Sequence, residues 1–173
     1  MIRPGRPDDA EHLRAIEVAA GERFREVGLD AVADDEPWSA EEYRALLEAD
    51  RIWVADVGGR PVGYVLATDF GGHVRLDQLS VRPEHGGRGL GSALVEVVMG
   101  WARDQGATFV TLTTFRDVAW NGPWYGREGV RRIPEDALGG PLAEVLAAQR
   151  AGRPAEKRAE RIAMRWVAEA GER

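Results

Sequence analysis

Apolar residues early in the chain recur every three to four positions, the spacing of one face of a helix. Leu13, Ile16, Ala20 and Phe24 form such a face, and Asp8 with Glu11 three residues later supplies an N-cap and its capping-box partner. Ahead of that helix, Ile2 to Arg6 reads as a short strand closed by Pro7. Gly28 and the polar run Asp34-Asp35-Glu36-Pro37 break the period. Ser39-Ala40-Glu41-Glu42 is then a second capping box, opening a helix with Tyr43, Leu46 and Leu47.

The pattern next changes to strands. Arg51 to Val57 and Pro61 to Leu66 are apolar runs divided by Gly58-Gly59, a hairpin signal, and Gly71-Gly72 marks a turn before a third strand, Val74 to Val81. Three strands joined by tight turns predict an antiparallel meander. Beyond Pro83 a glycine-rich loop feeds a helix on which Leu90, Leu94, Val97, Val98 and Trp101 share one face, ended by Gly106. Thr108 to Phe115 is β-branched and aromatic, hence a strand, and the strand–loop–helix–strand order implies a parallel pairing. Asn121 to Glu128 reads as a short helix, Val130 to Ile133 as a strand and Pro141 to Ala151 as a helix. Arg161 to Val167 suits a closing strand or a helix, since nearby Ala and Glu favour the latter. With no repeat or low-complexity linker, the expectation is a single domain over residues 1–173.

Composition narrows the chemistry. The chain has no cysteine, which excludes a thiol nucleophile, a disulfide framework, an iron–sulfur cluster and a cysteine-based zinc site. A net charge of −6, from 29 acidic against 23 basic residues, argues against nucleic acid as a partner. Only Lys157 among the bases is a lysine, so an arginine is not marked as functional by its abundance. No apolar run approaches the ~20 residues of a membrane span, and Met1-Ile2-Arg3-Pro4 lacks the apolar core of a secretory signal. These features predict a cytoplasmic protein that uses neither membrane nor metal.

Gly86-Gly87-Arg88-Gly89-Leu90-Gly91 places four glycines in six residues between a strand and a long helix. Glycines let main-chain N–H groups approach an anion, and a helix N-terminus adds roughly half a positive charge. Arg88, with Arg82 and His85 nearby, supplies local charge despite the acidic total. A phosphate loop of the G-x-x-x-x-G-K-[ST] type would need lysine where Ser92 stands, so an NTPase is disfavoured. The dinucleotide fingerprint G-x-G-x-x-G fails at its third glycine and needs the opening strand of a βαβ unit, not a meander.

The run Leu79-Ser80-Val81-Arg82-Pro83-Glu84-His85-Gly86-Gly87-Arg88-Gly89-Leu90-Gly91-Ser92-Ala93-Leu94 strongly resembles motif A of the GNAT N-acetyltransferase superfamily, [Q/R]-x-x-G-x-[G/A] after a strand ending x-V-x-P. Gly89 and Gly91 fill its two small positions, whereas Gly86 stands where the family usually has Gln or Arg. Trp120-Asn121-Gly122-Pro123-Trp124-Tyr125-Gly126-Arg127-Glu128-Gly129-Val130 resembles the family's N-x-P-[FW]-Y-x-x-x-G-F. The resemblance implies an α/β fold with a mixed α+β sheet, its antiparallel meander splayed from a parallel strand and helices on both faces. It also implies an acetyl-CoA site. The pantetheine arm would bond main-chain groups near Leu79, Ser80 and Val81, and the pyrophosphate would lie on Gly86, Gly87, Arg88, Gly89, Leu90, Gly91 and Ser92. Asn121 would bond the pantetheine side and Tyr125 would reach the sulfur. By family habit, a homodimer would form through the C-terminal strand region.

An alkylammonium with a pKa near ~10.4 must lose a proton before its nitrogen can attack a thioester. Without cysteine or a G-x-S-x-G elbow, the chain is expected to use direct attack in a ternary complex. Tyr125 is the expected general acid toward the departing thiolate. Asp77, sharing a face of its strand with Leu79 and Val81, is the expected base, beside the non-basic Gln78 and with His73 at the strand's start; the alternative is a proton that leaves through ordered water. The acceptor, a small-molecule amine or a peptide N-terminus, is expected against Glu22, Phe24 and Trp38, with Tyr43 close by. The alternative is an acetyl-CoA-binding sensor or assembly module without catalysis, for which the departure at Gly86 leaves room.

Overall fold

The computed structural model describes residues 1–49, 51–151 and 160–167. Among them are seven strands and six α-helices in a mixed α/β arrangement, mostly antiparallel with one parallel pair. The chain divides into two compact units, Met1–Thr68 with Leu76–Trp101, and Asp69–Arg75 with Ala102–Arg173.

In the first unit β1 (Ile2–Pro4) pairs antiparallel with β2 (Ile52–Val57), and β2 with β3 (Arg60–Asp69). β4 (Val74–Val81) lies beside β3, where the Arg82 N–H donates to the Val62 carbonyl at 2.8 Å and the Thr68 hydroxyl to Asp77 at 2.7 Å. The meander expected from the double-glycine turns is therefore present. Gly63 allows the close approach of the two strands, because a Cβ there would meet the Ser80 carbonyl and a Val81 methyl at 3.0 Å.

α1 (Ala10–Gly21) and α3 (Ala40–Glu48) close one core with this sheet: Leu13, Ile16, Tyr43, Leu47, Ile52, Val54, Tyr64 and Leu66 are all buried. Burying such side chains stabilises a fold by about 1.5–3 kcal/mol each. α1 begins later than the Asp8 capping box predicts. Pro7 opens a single 3-10 turn, Pro7–Asp9, and Asp9, not Asp8, accepts the Arg6 N–H at 2.8 Å. Arg3 fixes that choice by gripping both Asp9 oxygens at 2.8 and 2.9 Å. α1 also stops at Gly21, so Phe24 falls in a following 3-10 stretch, Glu22–Val27. The Ser39 capping box forms as expected, with the Glu42 N–H donating to the serine hydroxyl and the Ser39 N–H to the Glu42 carboxylate. α2 (Asp30–Ala33) is one short turn between them.

α4 (Leu90–Asp104) follows the glycine loop, with Leu94 and Val98 fully buried as the sequence periodicity requires. Trp101 lies against Trp53 with ring centres 5.5 Å apart.

In the second unit, the first residues of β4 pair in parallel with β5 (Phe109–Phe115) over a short register, Val74 on Val110 and Arg75 on Thr111. β7 (Arg161–Val167) pairs antiparallel with β5 along its whole length, so the closing segment is the strand of the two options. Here cross-strand pairing outweighs the helical preference of neighbouring Ala and Glu. β6 (Arg131–Arg132) is shorter than the Val130 to Ile133 run and pairs with β7. α5 (Gly122–Arg127) and α6 (Gly140–Ala151) complete the unit, with Leu142 and Leu146 of α6 buried against Ala163 of β7.

Candidate active site

The sequence-predicted residues fall in both units, and each group is described where it lies. In the first unit, Leu79, Ser80 and Val81 form the end of β4, and the chain turns through Pro83–His85 into the glycine loop. Gly86, Gly87, Arg88 and Gly89 are exposed, and Gly87 and Gly89 hold left-handed backbones at φ 70° and 77°. Residues with a Cβ rarely adopt that conformation, so glycine at these two places is a requirement of the turn. Gly86 has a different reason. Its N–H donates to the Pro83 carbonyl at 3.0 Å, and a Cβ would stand only 3.1 Å from that oxygen. The departure from Gln or Arg thus accompanies a turn too tight for an easy side chain.

α4 starts directly from this loop, with the Ala93 N–H donating back to Gly89 at 3.0 Å. The helix start presents N–H groups and its positive end next to Leu90, Gly91 and Ser92. Arg82 lies 3.7 Å from Glu84, whereas Arg88 makes no ion pair among the described residues. Nδ1 of the neighbouring His85 is buried and without a hydrogen-bond partner. An exposed glycine loop at a helix start, with a guanidinium that no described residue pairs, is an arrangement able to hold an anion.

Asp77 is half-buried on β4 and accepts the Thr68 hydroxyl at 2.7 Å. Gln78, on the other face, donates its amide to the Ser80 hydroxyl at 3.1 Å. The acceptor candidates are held by local contacts. Glu22 is paired with Arg25 at 3.0 Å, and Arg25 also grips Asp34 at 2.6 Å. Phe24 is half-buried in the turn beyond α1. Trp38 precedes the Ser39 cap and meets Tyr43 edge-on at 5.6 Å, the hydrophobic staple of a helix start.

In the second unit, Asn121 precedes α5 and its Oδ1 accepts the Thr114 hydroxyl at 3.0 Å. That bond orients the side chain and leaves the amide N–H groups to donate elsewhere. Asn121 and Tyr125 are brought together by α5, where the Tyr125 N–H donates to the Asn121 carbonyl at 2.9 Å. Gly122 is dictated by contact, since a Cβ would fall 2.7 Å from the Arg116 carbonyl. Tyr125 is buried and packs edge-on to Trp124 at 4.9 Å, and its hydroxyl has no hydrogen-bond partner among the described residues. Burial raises its pKa well above the ordinary phenol value, so it stays protonated.

The sequence reading did not single out Glu17 or Tyr64. Glu17 of α1 accepts the Tyr43 hydroxyl, and Tyr43 and Tyr64 are linked oxygen to oxygen at 2.6 Å. The available signal was Glu17 itself, four residues after Leu13 and three before Ala20, hence on the edge of the apolar face. Among the described residues there is no cluster of three or more metal-ligating side chains and no helix long and apolar enough to cross a membrane.

The family model of the Acetyltransferase (GNAT) family matches residues 14–128, and the chain belongs to that family. Rat N-acetyltransferase family 8 member 2 is 43% identical over 68 residues, which cover 36% of this chain and 30% of the rat protein. Mouse probable N-acetyltransferase family 8 member 5 is 33% identical over 109 residues, 59% of this chain and 47% of its own length. The matches therefore span less than half of these relatives. Among solved structures, the PaiA N-acetyltransferase of Thermoplasma acidophilum in complex with coenzyme A superposes with a TM-score of 0.71 at 17% identity, covering 97% of this chain and 98% of that one. The ribosomal-protein-S18-alanine N-acetyltransferase of Escherichia coli gives 0.67 at 17%, covering 99% and 96%. These two show that the fold is shared.

Proposed function

We propose that the chain is an N-acetyltransferase that moves the acetyl group of acetyl-CoA onto a primary amine, a small molecule or a peptide N-terminus, by direct attack in a ternary complex. The observation that carries the reading is the loop from Gly86 to Gly91. Its exposed main chain, two left-handed glycines and Arg88, which no described residue pairs, make an anion cradle at a helix start. Family membership and the names of the mammalian relatives point the same way.

Acetyl-CoA supplies an acetyl group activated as a thioester. In this reading the main-chain groups at Leu79, Ser80 and Val81 bind its pantetheine arm, an N–H there polarises the carbonyl oxygen, and the loop from Gly86 to Ser92 binds the pyrophosphate. Asn121, its oxygen already engaged by Thr114, donates its amide to the same arm. Tyr125, kept protonated by burial, gives its proton to the departing thiolate. Asp77 is the carboxylate that β4 itself offers to the amine proton. Glu22, Phe24 and Trp38 remain the proposed acceptor side, with a cytoplasmic location, a homodimer and one catalytic domain over residues 1–173 as parts of the same reading.

Calorimetric titration with acetyl-CoA, run beside free-thiol release across a panel of primary amines and short peptides, tests it. The expected result is saturable binding together with amine-dependent thiol release. Tight binding with no release on any amine replaces the reading with the sensor, which the tight turn at Gly86 favours. Absence of binding overturns both.

A further inference from the structure

Five polar side chains cross the core of the first unit in line. The Gln78 amide donates to the Ser80 hydroxyl at 3.1 Å, Ser80 is bonded to Tyr64, Tyr64 meets Tyr43 at 2.6 Å, and Tyr43 is bonded to Glu17. The direction of every bond follows from its two ends. An amide N–H can only donate, so the Ser80 oxygen accepts and its own proton points on to Tyr64. An ionised carboxylate can only accept, so the Tyr43 proton points at Glu17 and Tyr64 must donate to Tyr43. All the hydroxyl protons are thus aimed from β4 toward Glu17.

The line is costly to build. Tyr43 and Tyr64 are fully buried and Ser80 is 5% exposed, beside a core otherwise made of Ala, Leu, Ile and Val. An apolar core would need no hydroxyl at these places. Glu17 lies at its far end, half-buried on α1, and its second oxygen accepts no hydrogen bond from the described residues.

Resting on the acetyl-transfer reading, we propose that Ser80, Tyr64, Tyr43 and Glu17 form a proton relay that, in place of Asp77, carries the acceptor amine's proton from β4 to the Glu17 carboxylate. The ammonium gives a proton to the Ser80 oxygen while the serine's own proton passes to Tyr64. The Tyr64 proton passes to Tyr43, and that of Tyr43 to Glu17, leaving a neutral amine and a carboxylic acid. The amine nitrogen then attacks the acetyl carbonyl carbon and the carbon–sulfur bond breaks. The nitrogen loses its second proton as the amide forms, that proton restores the one Tyr125 gave to the thiolate, and Glu17 releases its own proton to water. The residues behind Ser80 act through it and are relay and positioning residues.

The groups facing Glu17 fit a proton acceptor. Burial raises its pKa above the ordinary carboxylate value, the facing hydroxyls of Tyr43 of α3 and Tyr64 of β3 offset part of that rise, and the charge of Asp35 from the α2–α3 link raises it further. Arg14, on its own helix, acts on Tyr43. A carboxylate with a raised pKa holds a proton more readily than a free one.

Two measurements on the full chain test the relay. The first is a carbon-detected NMR titration of Glu17 without ligand; the second is the pH profile of kcat/KM for acetyl-CoA with the fastest amine of the panel. The relay predicts that the acidic limb of the profile coincides with the Glu17 titration. It also predicts that Glu17→Gln and Tyr43→Phe each lower kcat/KM by about 10²-fold near neutral pH and lose that limb. Circular dichroism melting confirms that the variants are folded, and the loss should shrink at high pH, where the amine is already neutral. A limb displaced from the Glu17 titration, or one that survives in Glu17→Gln and disappears in Asp77→Asn, overturns the relay and leaves the acetyl-transfer reading standing. A parent chain that turns over no amine overturns that reading first, and the relay with it.

Discussion

The chain's three tyrosines occupy two kinds of setting. Tyr43 and Tyr64, in the first unit, are buried with each hydroxyl bonded, one to the other and onward to Glu17. Tyr125, in the second unit, is buried beside Trp124 with a hydroxyl that no described residue engages. Burial raises the pKa of all three, so exposure does not tell them apart. Partners do. A phenol inside a directed line of hydroxyls can pass a proton on, whereas one without partners keeps its proton for whatever reaches it.

The largest expected effect separates those two settings. Tyr125→Phe should lower kcat by roughly 10²–10⁴-fold, with acetyl-CoA affinity by calorimetry unchanged. An unchanged kcat, with chemistry shown to be limiting, removes the acid role. The next effect concerns a carboxylate in the same unit as Glu17 but in the opposite state. Burial works against ionising Asp9, yet the Arg3 guanidinium and the Arg6 N–H hold its pKa below the ordinary value. Asp9→Asn should therefore cost about 1.5–3 kcal/mol in urea unfolding at pH 7. Because the folded pKa is depressed, this stability is present above the unfolded value of about 3.8 and is lost as pH falls through the folded one. A variant as stable as the parent at pH 7 contradicts the assignment.

A backbone effect of similar or smaller size sharpens the setting of Tyr125. Gly122→Ala places a methyl 2.7 Å from the Arg116 carbonyl and should cost about 1–3 kcal/mol, whereas Gly126→Ala, with open space around it, should cost nothing. Equal melting temperatures for the two would refute the contact argument. The smallest effect has the opposite sign from Asp9. Glu17's raised pKa makes its contribution greatest below the unfolded value near 4.5, and lost as pH rises through the folded value. Glu17→Gln, still able to accept from Tyr43, should then melt slightly higher than the parent at pH 7 to 8 while losing activity. A lower melting temperature would mean that the ionised carboxylate is there for stability.

How much of this was legible in the sequence follows the range of each interaction. The glycine loop, α4, the double-glycine turns and α5 rest on contacts within a few residues, and the chain spells them out. The placement of Asn121 and Tyr125 together at α5 was readable for the same reason, one helical turn apart. The α1 start was misplaced by one residue because Arg3, six positions from Asp9, decides which aspartate caps. The β7 strand needed its seven-residue register with β5, which local propensity cannot supply. The Gln78–Ser80–Tyr64–Tyr43–Glu17 line joins two strands and two helices, and its linked pairs lie up to 26 residues apart. Only folding brings those oxygens into one row.

The most direct test supplies acetyl-CoA carrying an isotope-labelled acetyl group, with a panel of primary amines and peptides, and follows the label by mass spectrometry beside free thiol. The account predicts a labelled acetyl amide on at least one amine, with thiol released in equal amount and both lost in Tyr125→Phe. Label that stays on coenzyme A with every amine, while the chain binds acetyl-CoA tightly, would contradict it.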